Sequence, residues 1–356
     1  MALTTTASIY KADGTKAPLS AIKPGDLLLS VADGHLIESP VISKEIRPVR
    51  YDWLRLSGPR IGYARGTARF ALLASPDQKL GLEGFTAIDC LNGTFSSPAI
   101  FESLALTKVQ KSILLGILLG DGTLKTAGSA GGSKALKWVH SAKQEEYLSW
   151  TIQALGGLAK RTHDDISGYG SVIHTAMTVF HPDIEKVLGG FDKPNGEIPD
   201  WVADKLDPIA MAYWYMDDGS LTHKENQRDR VSFSTYSFST NSHKILQSGL
   251  AKFGIDSVIQ ESAKGPSIRL NSESADLFFC LIAPYVPPSM QYKLPDYYRG
   301  NKGWIPNSVF GYKKVIVEAM IDSCEPFEVS RATLGREYVL KTESGNFFSN
   351  GMLLSN

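Results

Sequence analysis

Two Asp-Gly pairs end two apolar runs of the chain, and their carboxylates are the first candidates for chemistry. Asp121 follows residues 114–120 (LLGILLG), and Asp218 follows residues 211–217 (MAYWYMD). A carboxylate directly after an apolar helix is costly near a core unless it is solvated, capped or bound to a metal ion. Two carboxylates that lie close together repel each other, so a divalent cation is their natural companion. A cation held between two aspartates can activate a water and stabilise the leaving oxygen of a phosphodiester, which predicts metal-assisted hydrolysis.

The elements that must position these carboxylates are two helices packed side by side. Residues 109–120 are helical by length and composition, with Thr107 as the predicted cap, and the run before Asp218 has the same character. Gly116 and Gly120 share one helix face, which lets two backbones approach closely. The alternative is a pair of buried helices that each end in a solvated Asp-Gly turn. One copy alone favours this alternative, whereas two copies favour a paired site.

The two motifs resemble the paired motifs of LAGLIDADG homing endonucleases. The second motif lies in a longer match that includes the Ile-Pro pair at 198–199, Ser-Phe-Ser at 237–239 and PPSMQYKLP at 287–295, which resembles the monomeric, two-repeat branch of that family. The resemblance covers roughly residues 108–300. It implies a monomer that binds double-stranded DNA, makes a site-specific double-strand break at a long recognition site and requires Mg²⁺ or Mn²⁺.

The resemblance also implies which residues hold the metal ion. Asp121 and Asp218 would be the catalytic ligands, and the main-chain carbonyls of Gly120 and Asp217 would complete the coordination. The side chain of Asp217 occupies a position that varies in the family, so we assign it a supporting or capping role.

Two lysines are the candidate basic groups of the site. Lys293, in Tyr-Lys-Leu-Pro, matches the family's basic residue that orients the attacking water or stabilises the charge of the phosphorane. The equivalent lysine of the other half normally precedes the Ile-Pro pair by two residues, where this chain has Gly196. Lys193, three residues earlier, is the candidate substitute. The departure at position 196 favours the alternative of a DNA- or RNA-binding, maturase-like protein that keeps the fold without cleavage.

The segment after the first motif is matched by the segment after the second, which predicts a duplicated α+β domain. Each repeat has the pattern αββαββα, with polar, turn-forming residues between its elements. Each half would form a twisted antiparallel sheet, and the two sheets together would make a saddle that lies along a DNA groove. The candidate DNA contacts are the basic residues in and beside the predicted strands, namely Lys125, Lys134, Lys137, Arg161, Lys224, Arg228, Arg230, Lys264 and Arg269.

Net charge restricts how such a domain can bind DNA. The chain has 37 basic and 37 acidic residues and therefore a formal charge of zero, whereas nucleic-acid binders are usually basic. A DNA-binding domain must then sort its positive charge onto one face. Arginines interspersed with aromatic residues between positions 47 and 69 are a further candidate for phosphate contact, the alternative being a solvated pair of strands.

Cysteine usage and hydropathy argue against a zinc-binding, disulfide-rich, membrane or secreted protein. The three cysteines lack CxxC spacing, which predicts neither a zinc site nor a disulfide framework. No apolar run approaches the roughly 18 residues of a membrane span, and the start of the chain lacks the apolar run of a signal peptide. We therefore expect no membrane partner and no secretion signal, and a location in the cytoplasm with the nucleoid or in the nucleus.

The two chain ends predict a further, all-β module. A short strand, Ala-Asp-Gly at 12–14 and Lys-Pro-Gly-Asp at 23–26 resemble the first block of an intein, and GNFFSNG at 345–351 with a final Asn356 resembles the closing blocks. This resemblance implies a Hint fold built from both ends, with the LAGLIDADG domain inserted. The predicted domains are 1–106 and 301–356 for the two parts of the Hint module and 107–300 for the endonuclease, with repeats at about 107–195 and 196–300.

The positions that carry splicing chemistry in inteins depart from that family's pattern. Ala2 stands where the family has its nucleophilic cysteine, and a methyl group cannot attack a peptide carbonyl. The family's Thr-x-x-His aligns with the segment from Ser75 to Gln78, and its penultimate histidine aligns with Ser355. Only Asn356, whose side chain can cyclise, is retained. We expect a chain that does not splice, because the nucleophile was removed or the module has become a carrier; a variant mechanism with alanine first is the alternative.

Overall fold

The computed structural model describes residues 7–48, 53–59, 69–74, 78–81, 85–92, 95–127, 133–168, 170–222, 229–304, 306, 309–327 and 336–355. These residues form two compact units. The described residues up to Ser103 and from Tyr312 onward form the first unit, and Leu104–Ala127 with Ser133–Gly311 form the second. We call the second unit the motif unit, because it contains both Asp-Gly motifs.

The first unit begins with short strands and tight turns. The turn Asp33-Gly34 has positive φ at both residues, 50° and 74°, as the two-residue hairpin turn of type I′ requires. The strands of this part are β1 (Ser8–Tyr10), β2 (Lys16–Pro18), β3 (Leu27–Ala32), β4 (His35–Pro48), β5 (Trp53–Pro59), β6 (Arg69–Ala74), β7 (Lys79–Leu80), β8 (Phe85–Thr86) and β9 (Phe95–Leu104).

The first half of the motif unit has the predicted order αββαββα. Its elements are α1 (Lys108–Leu119), β10 (Thr123–Thr126), β11 (Lys134–Ser141), α2 (Glu145–Ala154), β12 (Ala159–Ile166), β13 (Val172–Thr178) and α3 (Pro182–Leu188). Helix α1 begins at the predicted cap Thr107, whose hydroxyl accepts from the backbone N–H of Gln110 while the Gln110 side chain accepts from the backbone N–H of Thr107. This reciprocal capping box satisfies two N–H groups that would otherwise lack partners.

The second half repeats this order after a short connecting helix. Its elements are α4 (Val202–Lys205), α5 (Pro208–Asp218), β14 (Gly219–Thr222), β15 (Arg230–Phe233), α6 (Thr240–Ala251), β16 (Ser257–Gln260), β17 (Ser267–Leu270) and α7 (Ser272–Ile282). The two antiparallel sheets have equivalent strand orders, β10-β11-β13-β12 and β14-β15-β17-β16. The mixed α/β architecture and its duplication are therefore as expected from the sequence.

One hydrophobic core joins the two halves of the motif unit. Its largest fully buried side chains include Trp138, Tyr147, Trp214, Tyr215 and Phe233. They come from helices and from the inward faces of both sheets, so the aromatic residues of the second motif are core residues. Because both motif helices cross this core, small changes in their packing are transmitted directly to their ends.

The chain returns to the first unit after residue 311. The remaining strands are β18 (Tyr312–Ile321), β19 (Ser323–Phe327), β20 (Arg336–Thr342), β21 (Asn346–Ser349) and β22 (Met352–Ser355). They complete sheets begun by the N-terminal strands, in the orders β18-β9-β22-β21-β1-β2, β19-β5-β6 and β20-β4-β3. Strands β9 and β18, which flank the motif unit in sequence, are thus neighbours, and the N–H of Ala105 donates to the carbonyl oxygen of Gly311 at 2.9 Å.

Among the described residues, every helix is too short or too polar to cross a membrane.

Candidate active site

Two glycines allow α1 and α5 to pack in direct contact. A Cβ on Gly116 would lie 2.5 Å from the carbonyl oxygen of Ala210, and a Cβ on Gly120 would lie 2.5 Å from the Cβ of Asp217. Real Cβ atoms do not approach other atoms so closely, so only glycine permits this helix contact. The predicted role of the two glycines is confirmed, and the last turns of both helices come together.

The two predicted metal ligands at these helix ends interact electrostatically. The pKa of Asp218 is raised to about 7 by burial and by the charge of Asp121, against the opposing charges of Lys193 and Lys293. Burial also raises the pKa of Asp121, again against the charges of the two lysines. Carboxylates that are costly to ionise gain most from a divalent cation, because the ion stabilises both charges at once. Carboxylate and carbonyl oxygens are the ligands that Mg²⁺ and Mn²⁺ prefer, so the donor set fits these ions.

A lysine from the connection between the repeats caps the first motif helix. Lys193 begins a short 3-10 helix, Lys193–Asn195, and its Nζ donates to the carbonyl oxygens of Gly120 and Gly122, both at 2.7 Å. A cation is favourable here, because the unpaired carbonyls of a helix C-terminus carry partial negative charge. Burial lowers the pKa of this ammonium group, while the neighbouring aspartates raise it. The structure therefore places Lys193 beside the first motif.

Lys293 caps the second motif helix in the same way. Its Nζ donates to the carbonyl oxygens of Met216 at 2.5 Å, Gly219 at 2.9 Å and Asp217 at 3.3 Å. The hydroxyl of Tyr215 donates to the carbonyl oxygen of Lys293 at 2.7 Å and so fixes the backbone that carries the lysine. Burial lowers the pKa of Lys293, and the neighbouring aspartates raise it. The two lysines thus occupy matching places at the ends of the two repeats.

The backbone explains why the second lysine does not stand at position 196. Gly196 has a φ of +69°, and a Cβ there would lie 2.0 Å from the carbonyl oxygen of Ser237. A side chain at this position would meet both a strained φ and a backbone atom. The backbone thus excludes a side chain at position 196, and the ammonium group that lies beside the first motif is that of Lys193.

Asp217 belongs to a buried polar cluster beside the first motif. Its carboxylate accepts from the hydroxyl of Tyr147 at 2.9 Å and from the backbone N–H of Asp121 at 3.3 Å. His140 lies 3.8 Å from this carboxylate through Nε2 and 3.5 Å from the Asp121 carboxylate through Nδ1. Burial, with the charge of Asp121, raises the pKa of Asp217 well above its usual value. Burial, with the charge of Lys293, lowers the pKa of His140 to about 4, so the imidazole is neutral at physiological pH.

The cluster offers a second set of metal-ligating groups. Ligand atoms of Asp121, His140 and Asp217 lie within 4.8 Å of one another. Among the described residues, no other group of three or more such side chains is close enough to hold a metal ion together. The Asp217 side chain is fully buried and hydrogen-bonded, whereas that of Asp121 is 45% exposed. Since Mg²⁺ keeps several of its waters, the exposed side of the Asp121 carboxylate suits it better than the buried cluster. We therefore interpret Asp217 and His140 as supports of Asp121.

Sequence reasoning missed His140 and Tyr147. His140 occupies an inward position of β11 that alternates with Leu136 and Trp138, and Tyr147 occupies an apolar position of α2. In the sequence, both positions follow the pattern of ordinary core residues. The available signal was a histidine in line with fully apolar inward residues, since a buried polar group needs a partner.

The outer face of the first sheet carries basic side chains that face away from the helices. Strand register aligns Thr123, Lys137, Met177 and Lys160 across the four strands on this face. Lys125 lies two residues beyond Thr123 on the same strand and is therefore on the same face. Lys160 was not predicted, and the structure adds it to Lys125 and Lys137.

The outer face of the second sheet carries two arginines. Arg230 and Arg269 lie on the face opposite the buried Phe233 and together line a cavity of about 550 Å³. Lys264 lies in the exposed turn between β16 and β17. The predicted contacts Lys224 and Arg228 lie outside the described residues.

Two predicted DNA contacts lie on the opposite side of the first sheet. Lys134 faces α3, and its Nζ lies 3.2 Å from the Glu185 carboxylate. Arg161 pairs in register with the buried Ala176 on the helix side, and its guanidinium donates to Glu145 of α2 at 2.7 Å. Strand parity directs both side chains to the helices, where carboxylates neutralise them. We therefore remove Lys134 and Arg161 from the candidate DNA contacts.

Two predicted splicing positions meet in the first unit. Gln78 is buried, and its Nε2 donates to the carbonyl oxygen of Ser355 at 3.2 Å. The hydroxyl of Ser355 donates to the carbonyl oxygen of Gly81. The other predicted positions, Ala2, Ser75 and Asn356, lie outside the described residues.

The segment rich in arginine and aromatic residues is described only in part. Trp53 is buried, so its ring is not available for stacking on a sugar, whereas Arg55 is exposed on β5.

Comparisons with known proteins agree with the motif unit. Residues 111–278 match the model of the LAGLIDADG DNA endonuclease family. The DNA endonuclease I-ChuI of Chlamydomonas applanata is 27% identical over 226 residues, which cover 56% of this chain and 99% of that protein. Protein RecA of Mycolicibacterium chitae is 26% identical over 269 residues, which cover 72% of this chain and 62% of that protein.

The chain therefore spans less than two thirds of the length of that RecA relative. Among solved structures, the homing endonuclease I-WcaI bound to its DNA recognition sequence has a TM-score of 0.47 and 23% identity, and covers 53% of this chain and 87% of its own. The matched residues 111–278 include both Asp-Gly motifs and most of the two repeats. Residues 111–278 of this chain are thus similar to the LAGLIDADG DNA endonuclease family.

Proposed function

We propose that the motif unit is a site-specific DNA endonuclease that makes a double-strand break at a long recognition site. The observation that carries the proposal is the pair of helix ends at which Asp121 and Asp218 interact, each beside a lysine that caps its own helix. Each repeat contributes one carboxylate and one lysine, so each repeat can cleave one of the two strands of a duplex. The match to I-ChuI, named as a DNA endonuclease and covered over 99% of its length, supports this activity.

Mg²⁺ or Mn²⁺ is the cofactor of the proposed reaction. The carboxylates of Asp121 and Asp218 would hold it, with the main-chain carbonyls of Gly120 and Asp217 as further ligands. When bound, the ion supplies Lewis acidity and an activated water for phosphodiester hydrolysis.

The protein's own side chains position the phosphate and the ligands. Lys193 and Lys293 place an ammonium group beside each motif, where it stabilises the negative charge that develops on the phosphate. Asp217 accepts from the backbone N–H of Asp121, and Tyr147 donates to Asp217, so the backbone that carries the first carboxylate is held in place before DNA binds.

The outer faces of the two sheets form the proposed DNA interface. The residues that would contact phosphates or bases are Lys125, Lys137, Lys160, Arg230, Lys264 and Arg269. Phosphate contacts set register and affinity, and base contacts in the groove set specificity. Since one chain holds both motifs, we propose that it acts as a monomer, in the cytoplasm with the nucleoid or in the nucleus.

Cleavage of the uninterrupted target tests this function. The DNA that flanks the coding sequence of this chain, joined without it, is incubated with the protein in Mg²⁺, in Mn²⁺ and in EDTA. We expect linear product at one site with either metal ion and none in EDTA. Asp121→Asn and Asp218→Asn should each abolish the double-strand break and leave binding near normal, while the exposed Asp200→Asn serves as the matched control.

Two outcomes would contradict the proposal. Double-strand cleavage by either motif variant at the parental rate would refute the paired-carboxylate site. Tight binding without cutting would establish the second candidate, a maturase-like DNA- or RNA-binding module. The departure at Gly196 favours that candidate, whereas the position of Lys193, hydrogen-bonded to Gly120 and Gly122, supports cleavage.

For the first unit we propose a Hint splicing module that is inactive as given. Its sheets combine strands from both ends of the chain, and Gln78 and Ser355, at the positions of the two splicing histidines of inteins, are in contact. The match to the RecA protein covers 72% of this chain, more residues than the motif unit contains, so it includes part of the first unit.

A further inference from the structure

A second charged cavity lies at the far end of the motif helices. Its volume is about 620 Å³, and it opens where α1 and α5 begin, whereas Asp121 and Asp218 lie where the same helices end. At a rise of about 1.5 Å per residue, a helix of this length spans nearly 20 Å. The cavity is therefore separate from the candidate active site and from the outer faces of the sheets.

Positive charge dominates the lining of this cavity. Its two acidic side chains are already engaged: Asp204 pairs with Lys252, and Asp207 accepts from the N–H of Ala210 and the hydroxyl of Ser112. The exposed lysines of the lining are Lys108, Lys111, Lys186 and Lys205.

Two of these lysines stand where a helix disfavours cations. Lys108 is the first residue of α1 and Lys111 follows within one turn, so both lie at the positive end of the helix dipole. The first turn of α1 contains no acidic residue. Among the described carboxylates, none forms an ion pair with Lys108, Lys111 or Lys205. An anion in the cavity would stabilise both the lysines and the helix end.

Trp201 adds an aromatic surface to the lining. Its indole N–H donates to the carbonyl oxygen of Gly189 at 3.3 Å, and its ring packs edge-on against Phe191 with centroids 5.8 Å apart. These contacts hold the half-buried ring in place. Ammonium groups beside an aromatic face are the combination that binds phosphate and base together. The cavity volume lies within the roughly 300–1,000 Å³ of small-molecule sites.

We propose that this cavity binds a nucleotide unit, with its phosphate beside Lys108, Lys111 and Lys205 and its base against Trp201. The unit can come from a free nucleotide or from a single-stranded nucleic acid, because both present the same chemistry.

Binding of a fluorescent single-stranded oligonucleotide to the full chain tests the proposal. Fluorescence anisotropy is measured in EDTA, with unlabelled duplex DNA present to occupy the outer sheet faces. The double variant Lys111→Glu/Lys205→Glu should weaken binding at least tenfold and reduce the slope of log K against log salt by about 1.4, or about 0.7 per lost phosphate contact. Both positions are exposed, so the variant should fold. The matched control is Lys143→Glu/Lys302→Glu, at two exposed lysines outside both the cavity and the proposed DNA interface, which should leave this binding unchanged.

Competition then identifies the source of the nucleotide. Displacement of the oligonucleotide by ATP indicates a free-nucleotide site, and displacement only by unlabelled single strand indicates a strand-binding site; either supports the proposal. Inorganic phosphate that competes as strongly as ATP or single strand would overturn it in favour of a simple anion site. Unchanged binding by the Lys111→Glu/Lys205→Glu variant, or an equal loss in the control variant, would also overturn it.

Discussion

Lys193→Ala is expected to slow double-strand cleavage on the order of 10²-fold, the usual cost of losing one electrostatic donor. The ammonium group donates to the carbonyl oxygens of Gly120 and Gly122 at 2.7 Å each. Without it, two carbonyls at the end of α1 lose a charged partner, which should cost ~1–3 kcal/mol of the free energy of unfolding. The pKa of Asp218 should also rise above about 7, because one of its two opposing positive charges is removed.

The single-turnover cleavage rate is measured as a function of pH in saturating Mg²⁺. The fall of this rate at low pH, its acidic limb, reports the protonation of the site carboxylates. Lys193→Ala should lower the rate and move the acidic limb to higher pH, and Lys193→Arg, which keeps the charge, should recover part of the loss. The double variant Lys193→Ala/Gly196→Lys moves the lysine to the family's usual position. We expect no rescue, because the new Cβ would lie 2.0 Å from the carbonyl oxygen of Ser237. Parental rates in Lys193→Ala, or rescue by Gly196→Lys, would refute the reasoning.

Three further results are expected. In the absence of divalent ions, stability should fall as pH rises from 3.8 to about 7, because folded Asp218 keeps a proton that the unfolded chain has lost; melting curves should show Mg²⁺ restoring stability above that range, and Asp218→Asn should reduce this dependence, leaving the part that the raised pKa values of Asp121 and Asp217 contribute. Gly116→Ala should destabilise the motif unit by ~1–3 kcal/mol in urea denaturation, because its Cβ would lie 2.5 Å from the Ala210 carbonyl oxygen, whereas Gly168→Ala, with open space around it, should change little. Between two foreign domains the chain should give no ligated product on a denaturing gel; ligation after Ala2→Cys would show one missing nucleophile, and ligation without it would contradict the expected inactivity.

The motif helices and the repeat were predictable because their signals are local. Apolar length, the Thr107 cap and the spacing of Gly116 and Gly120 all lie within one stretch of chain, and each has a direct physical meaning. The second copy then supplied the order of the remaining elements.

The side of the sheet on which each charged side chain lies was not predictable in the same way. Arg161 and Lys160 are neighbours, yet strand pairing directs one to the helices and the other to the outer face. The register also shifts between Arg161 and His163, so alternation counted along the sequence loses its phase at that point. Lys134 was misplaced for a related reason, since its side is set by the strand it pairs with.

The support around Asp217 required three-dimensional information. Tyr147 comes from α2, His140 from β11 and Asp217 from α5, and no sequence spacing links them. Gly196 is the reverse case, because its departure from the family pattern is visible in the sequence while the φ of +69° that explains it is not.

The chain leaves and rejoins the first unit on two adjacent strands, β9 and β18, with Ala105 and Gly311 hydrogen-bonded at the crossing. A flexible loop of this length would be costly to close, at about 0.6 kcal/mol for each doubling of its length. The motif unit avoids this cost because it is folded and its two ends are hydrogen-bonded to each other. A deletion that joins the two strands by a few residues would leave the sheet's pairing intact. The fold therefore allows the motif unit to be removed or inserted as one piece without breaking the pairing of the strands that flank it.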